Sequence, residues 1–193
     1  MKATEVLKEE HQVILRVIAS LERGVELLER GIAVRPGFFA DTARFIKGFA
    51  DGCHHKKEEG VLFTKMEAHG MSNQAGPIAV MLAEHEEGRR YTRGLAEAAH
   101  RLENGDATAR ADIIHNARGY IELLRQHIAK EDNILFPMAD QVIPPAEHDS
   151  VLEGFEHVEH EDTGPGVHEK YLALAEALEK ESLAWASSVD WAI

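Results

Sequence analysis

The stretch Cys53-His54-His55-Lys56-Lys57-Glu58-Glu59-Gly60-Val61-Leu62-Phe63 is answered further along by His127-Ile128-Ala129-Lys130-Glu131-Asp132-Asn133-Ile134-Leu135-Phe136-Pro137. Both copies read His-x-x-Lys-Glu-x-x-x-Leu-Phe. Residues four apart on a helix lie one above the other, so His54 with Glu58, and His127 with Glu131, each offer an imidazole and a carboxylate on one face. The same face carries Leu and Phe. Burying a His and a Glu there unpaired is costly, and a first-row transition metal, which accepts neutral imidazole together with carboxylate, is a partner that removes the cost.

Outward from the repeat, apolar periodicity predicts four long helices. Val6, Leu7, Ile14, Leu15, Ile18, Leu21, Val25 and Leu28 keep helical period up to Gly31, which predicts a helix over about 4–30 with Thr4 as its cap. His11 lies four residues from both Leu7 and Leu15 and shares their face. The second helix, about 38–68, carries the first motif copy. Its Gly48, Gly52 and Gly60 weaken it by roughly 1 kcal/mol each relative to Ala, so packing or ligation has to hold it. The third, about 77–103, opens at Pro77 and holds His85 in Leu82-Ala83-Glu84-His85, an echo of Leu7-Lys8-Glu9-Glu10-His11. The fourth starts at a Thr108 cap and runs to about Phe136. The expected fold is all-α, an up-down-up-down four-helix bundle over residues 1–143. A C-terminal helical extension, residues 144–193, packs on the bundle or on a partner subunit.

In such a bundle two residues lie at one height when they are equally far from the turn between them. The midpoint of His11 and His54 is 32.5, inside the breaker Gly31 to Gly37; that of His54 and His85 is 69.5, inside His69 to Gly76. That of His85 and His127 is 106, inside Asn104-Gly105-Asp106. Four imidazoles, one per helix, are therefore expected in one layer, with Glu58 and Glu131 a turn away. Six such donors exceed what one zinc takes, because structural zinc is closed by four. Two metals fit better, each receiving about two nitrogens and two oxygens if both carboxylates bridge, with room for a bridging oxide or hydroxide and a small exogenous ligand. Iron suits that mixed shell, manganese less so given the imidazoles. Because imidazole ligates only when neutral, metal loss is expected as pH falls through about 6 to 5.

With His11, His54-x-x-x-Glu58, His85 and His127-x-x-x-Glu131 in place, the sequence resembles the hemerythrin-like, or HHE cation-binding, family over about residues 4–140. The resemblance implies a four-helix bundle with two non-haem iron ions that bind or react with dioxygen, nitric oxide or peroxide. Two departures stand out. Oxygen carriers of the family place a second His four residues after the third-helix His, where this chain has Arg89, and end on His-x-x-x-x-Asp, where it has Glu131 at the fourth position. One imidazole fewer implies a more open iron and favours redox chemistry or sensing over reversible carriage. The pattern is also similar to the di-iron domain of iron-centre repair proteins, whose Cys-bearing N-terminal domain is absent here. Iron handling or repair, or a metal-free helical interaction protein, are the alternatives, and carrier, sensor and enzyme stay open.

The remaining chemistry-bearing residues have plainer readings. His55 with Glu59 is a rival register, but the second copy has Ile128 where the first has His55, so His55, Glu59 and Asp132 are read as groups that orient imidazoles from outside or lie on the surface. Tyr120 is read as a core tyrosine with a satisfied hydroxyl, Cys53 as a small buried hydrophobe, and His69, His100, His115 and His148 as surface residues. The tail cluster His157, His160 and His168 lies on a solvated face, with His168 the one best placed to reach the centre. Tyr171, Leu172, Leu174, Ala175 and Leu178, followed by Trp185 and Trp191, suggest a contact site and a homodimer through the last helix.

Composition sets the outer bounds. At 193 residues and 44% hydrophobic, the chain suits one well-filled core. A net charge of -13 argues against a nucleic-acid partner. No apolar run approaches the roughly 20 residues of a membrane span, and the N-terminus has no apolar secretory core, so a cytoplasmic protein is expected.

Overall fold

The computed structural model describes residues 2–189, and among these there is no strand. The fold is all-α, with six helices. α1 is Ala3–Glu29. α2 covers residues 36–68 without a break, but passes through two wider π-helical segments, Ile46–His55 and Glu58–Leu62. α3 is Gly76–Glu103. α4 covers residues 109–142 with a π-helical segment at Glu131–Leu135. In the tail, α5 covers residues 148–163 and α6 is Val167–Val189.

The breaks fall where the breaker stretches lie, and each is closed by a glycine in the left-handed region: Gly31 at φ 74°, Gly70 at φ 93° and Gly105 at φ 89°. Two caps differ from expectation. Thr4 lies inside α1 with its hydroxyl on Asp140, 2.9 Å away, while Lys2 stands at the N-cap and its backbone N–H donates to Glu5 at 2.7 Å. Thr108 holds the N-cap position of α4, but its hydroxyl donates to Asp106 instead of capping.

α1 packs on α2 and α4, and α3 packs on the same two. Two apolar clusters fill the interior. One holds Ile14, Ile18, Leu21, Phe38, Phe45, Phe49, Leu95 and Leu124; the other holds Leu7, Leu62, Phe63, Met66, Ile78, Leu135 and Phe136. His11 falls between Leu7 of one and Ile14 of the other. Each such side chain contributes about 1.5–3 kcal/mol by leaving water, so the polar residues between the clusters are held in place by apolar packing above and below.

The tail folds back on its own chain. α6 lies along α1 and α2, and α5 touches the same pair. Ala175 and Leu178 are buried, Tyr171, Leu172 and Leu174 are packed on the core, and Trp185 meets the Phe38 ring edge-on at 4.7 Å. Of the apolar side chains that suggested a contact site, the described ones pack against the chain's own core; Trp191 lies outside the described residues. Gly48 is the seat of this docking, since a Cβ there would stand 1.8 Å from Tyr171 Oη. A Gly48→Ala chain should lose about 1–3 kcal/mol, the usual cost of overpacking, despite its better helix propensity. Thermal melting tests this, and an unchanged or raised melting temperature would contradict the docking.

Candidate metal centre

The six residues singled out by the sequence come together. His11, His54, His85 and His127 are at most 1% exposed, and Glu58 and Glu131 are wholly buried. Glu58 lies with one oxygen 3.5 Å from His54 Nε2 and the other 3.4 Å from His85 Nε2. Glu131 reaches both sides as well, 3.3 Å from His11 Nε2 through one oxygen and 3.1 Å from His127 Nε2 through the other. Two groups of donors result, each within reach of one ion: His11, His54, Glu58 and Glu131, and His55, Glu58, His85 and His127.

His55 is the correction. Instead of a surface or merely orienting group, it is buried in the layer, its ring stacked on His85 at 3.9 Å. His54 and His55 close a π-helical segment of α2, and both are buried there. The chain therefore has a fifth buried imidazole, although Arg89 stands where the oxygen carriers have a His. Arg89 donates to Asp51 at 2.7 Å and to Glu59 at 2.8 Å, holding two carboxylates that face His55 and His85.

Around the layer the two motif copies build the same construction. Glu10 accepts from His54 Nδ1 at 2.8 Å and Glu84 from His127 Nδ1 at 2.9 Å; each is the residue just before the buried His of its own helix. The motif lysines hold these acids, Lys57 on Glu10 and Lys130 on Glu84. The residue after each motif Glu serves the opposite hairpin: Glu59 accepts from His85 Nδ1 at 2.6 Å and Asp132 from His11 Nδ1 at 2.9 Å. The motif phenylalanines stack on the same rings, Phe63 near His85 and Phe136 near His11. With Nδ1 turned to a carboxylate, each Nε2 is left pointing inward, the arrangement that orients a metal-ligating imidazole. Glu10 and Glu84 were not singled out in the sequence; the Glu-His pair repeated in the first and third helices was their signal.

The protein alone does not satisfy the layer's inner face. Among the described residues, His11 Nε2 and all four oxygens of Glu58 and Glu131 are buried without a hydrogen-bond partner, and His85 Nε2 faces His127 Nε2 at 3.1 Å. An unmet buried polar group costs about 1–3 kcal/mol, so this concentration fits a site built for cations. Electrostatics agree. Burial and the charge of Glu131 push Glu58 well above the usual carboxylate range. Burial works against ionisation of Glu131 too, but His127 and His11 overcome it and hold its carboxyl low. Burial likewise opposes the charge on His127, yet Glu131 and Glu84 raise it to about 9. His11 is raised against burial by Asp132 and Glu131. His54, by contrast, falls to about 4, because burial outweighs Glu10, and burial also lowers His55 and His85.

The tail reaches the periphery of the layer. Glu159 of α5 pairs with Lys57, whose ammonium is fully buried between it and Glu10. His168 stacks on Phe49, its Nε2 4.0 Å from Glu10, and His157 and His160 are exposed. Burial drives the Cys53 thiol up to about 12, consistent with a packing role. Tyr120 departs from expectation: it is buried, but its hydroxyl has no partner.

Helices that converge on a buried layer of imidazoles and carboxylates define a helical metal-binding protein. The hemerythrin HHE cation binding domain matches residues 2–139, and the chain belongs to that family. Relatives include Uncharacterized protein Rv1995 of Mycobacterium tuberculosis and Uncharacterized protein Mb2018 of Mycobacterium bovis, each 27% identical over 162 residues, which is 84% of this chain and 63% of the relative. The chain thus spans somewhat under two thirds of these relatives' length. No solved structure matches it. Among the described residues no helix is long and apolar enough to cross a membrane.

Proposed function

We propose that the chain is a dinuclear non-haem iron protein that binds and reacts with, or senses, a small oxidant such as dioxygen, nitric oxide or peroxide. One observation carries the reading: Glu58 belongs to both donor groups, and Glu131 approaches imidazoles of both. In this reading His11 and His54 would hold one ion, His55, His85 and His127 would hold the other, and Glu58 and Glu131 would serve both. Residues 1–143 would form the up-down-up-down bundle that carries the centre, with the tail closing it. Two iron ions held so would supply electrons to a small ligand.

The chain's own groups do the rest. Asp132, Glu10, Glu59 and Glu84 fix the imidazole orientations, while Phe63 and Phe136 keep water from one side of the rings. The unpartnered inner atoms disfavour a metal-free polar layer, because buried polar groups are otherwise hydrogen-bonded. Metal analysis with optical spectra under air, nitrogen and nitric oxide tests the assignment. About two irons per chain, with near-ultraviolet charge-transfer absorption that responds to these gases, is the expected result. A chain that takes up one ion or none, or whose spectrum is indifferent to all three atmospheres, would overturn it.

A further inference from the structure

Beside the layer, between α2 and α3, lies a cavity of about 470 Å³. Dioxygen or nitric oxide, at two heavy atoms, leaves most of that space unfilled, whereas sites for small organic ligands begin near about 300 Å³. The walls are apolar and small: Ala43, Ile46, Gly88 and Ala96. At the inner side stand His55, in the layer itself, and Tyr120. Tyr120, only 1% exposed, closes the inner end as a wall.

The lining carries a charge opposite to that of the chain. Arg44, Lys47, Arg89 and Arg93 face Asp51 and Glu97, in a protein whose net charge is -13. Arg89 is committed to three carboxylates and Arg44 to Asp41. Lys47 and Arg93 are exposed and have no ion-pair partner among the described residues. An apolar chamber with uncommitted cations at its mouth suits an organic anion with an apolar body.

We propose that this cavity binds a monocarboxylate of about ten to fifteen heavy atoms, its carboxylate at Lys47 and Arg93 and its far end against Tyr120 and His55. The inference rests on the dinuclear reading in taking His55 as a wall of the centre, and it adds an organic substrate class to a site otherwise read as serving only small oxidants.

Calorimetric titration of the full chain with 4-phenylbutyrate and with uncharged 4-phenylbutanol, both metal-free and iron-loaded, tests it. The carboxylate should bind both forms with a dissociation constant of about 1 mM or tighter, and the alcohol about tenfold more weakly. Lys47→Glu with Arg93→Glu, two exposed changes, should weaken the carboxylate about tenfold or more. Ala96→Trp, which fills the mouth from an exposed position, should abolish binding while the circular dichroism and melting temperature stay as they were. No binding to either form, binding that ignores both sets of changes, or binding that needs iron would overturn the proposal; in the last case the carboxylate is a ligand of the metal alone. Metal content measured in parallel separates the two readings. A chain that takes no iron but binds the carboxylate refutes only the dinuclear centre, and one that takes two irons but no carboxylate refutes only the cavity's role.

Discussion

A Glu58→Gln chain should lose its dinuclear occupancy and yet, stripped of metal, be more stable than the parent at pH 8. Glu58 and Glu131 share one buried layer, and burial plus the charge of its neighbour holds Glu58 well above its ordinary value of 4.5. Above pH about 4.5 the unfolded chain has shed this proton while the folded chain retains it. The protonated carboxyl therefore supports the fold fully below the unfolded value, and that support is lost as pH rises. Glutamine keeps the shape of the protonated acid and has no proton to surrender. The gain should be near zero at pH 4 and grow to about 1–3 kcal/mol at pH 8, or roughly 3–10 °C in melting temperature for a domain of this size. Bound iron should fall from about two per chain to one or fewer. A stability difference that stays constant from pH 4 to 8, or full iron occupancy in the variant, would contradict the shared-carboxylate geometry.

Iron uptake at pH 7 should release about two to three protons per chain. Without metal, His127 is raised to about 9, and His11 and Glu58 are raised as well, so these groups hold protons that ligation must displace. His54, His55 and His85 are already neutral at that pH and contribute none. Competition from protons therefore begins well above the window of pH 6 to 5 expected from an ordinary imidazole. Affinity should decline continuously from about pH 9 downward, by about tenfold per pH unit for each proton displaced. Loading at a thousandfold excess over the dissociation constant adds about 4 kcal/mol to stability. An indicator dye in weak buffer reads the protons directly, and uptake that leaves the pH unchanged would refute the protonated resting layer.

The legible parts of this protein are those that depend on α-helical period and on breakers. The midpoints between His11, His54, His85 and His127 fall in the three connections because each connection is closed by a glycine that the sequence displays. His55 was misplaced because the second motif copy, with Ile128 at the matching position, was taken to decide between the two registers, and nothing in Ile46 to His55 announces the wider turn. Glu10 and Glu84 escaped because a Glu beside a His on an exposed-looking helix reads as an ordinary solvated charge. Their role depends on a lysine from another part of the chain. Tyr120 reads as ordinary core; only the three-dimensional arrangement shows its hydroxyl unpartnered beside a cavity.

The division of labour between the motif copies bears on how the centre comes into being. Glu10 with His54 and Lys57, and Glu84 with His127 and Lys130, close within one helical hairpin each. The Asp132 contact to His11 and the Glu59 contact to His85 instead join one hairpin to the other, the former across 121 positions of chain. Neither hairpin can assemble even its own half of the layer by itself. The layer is therefore complete only when both hairpins are in place, and an intact site reports that the two halves of the chain have met in register.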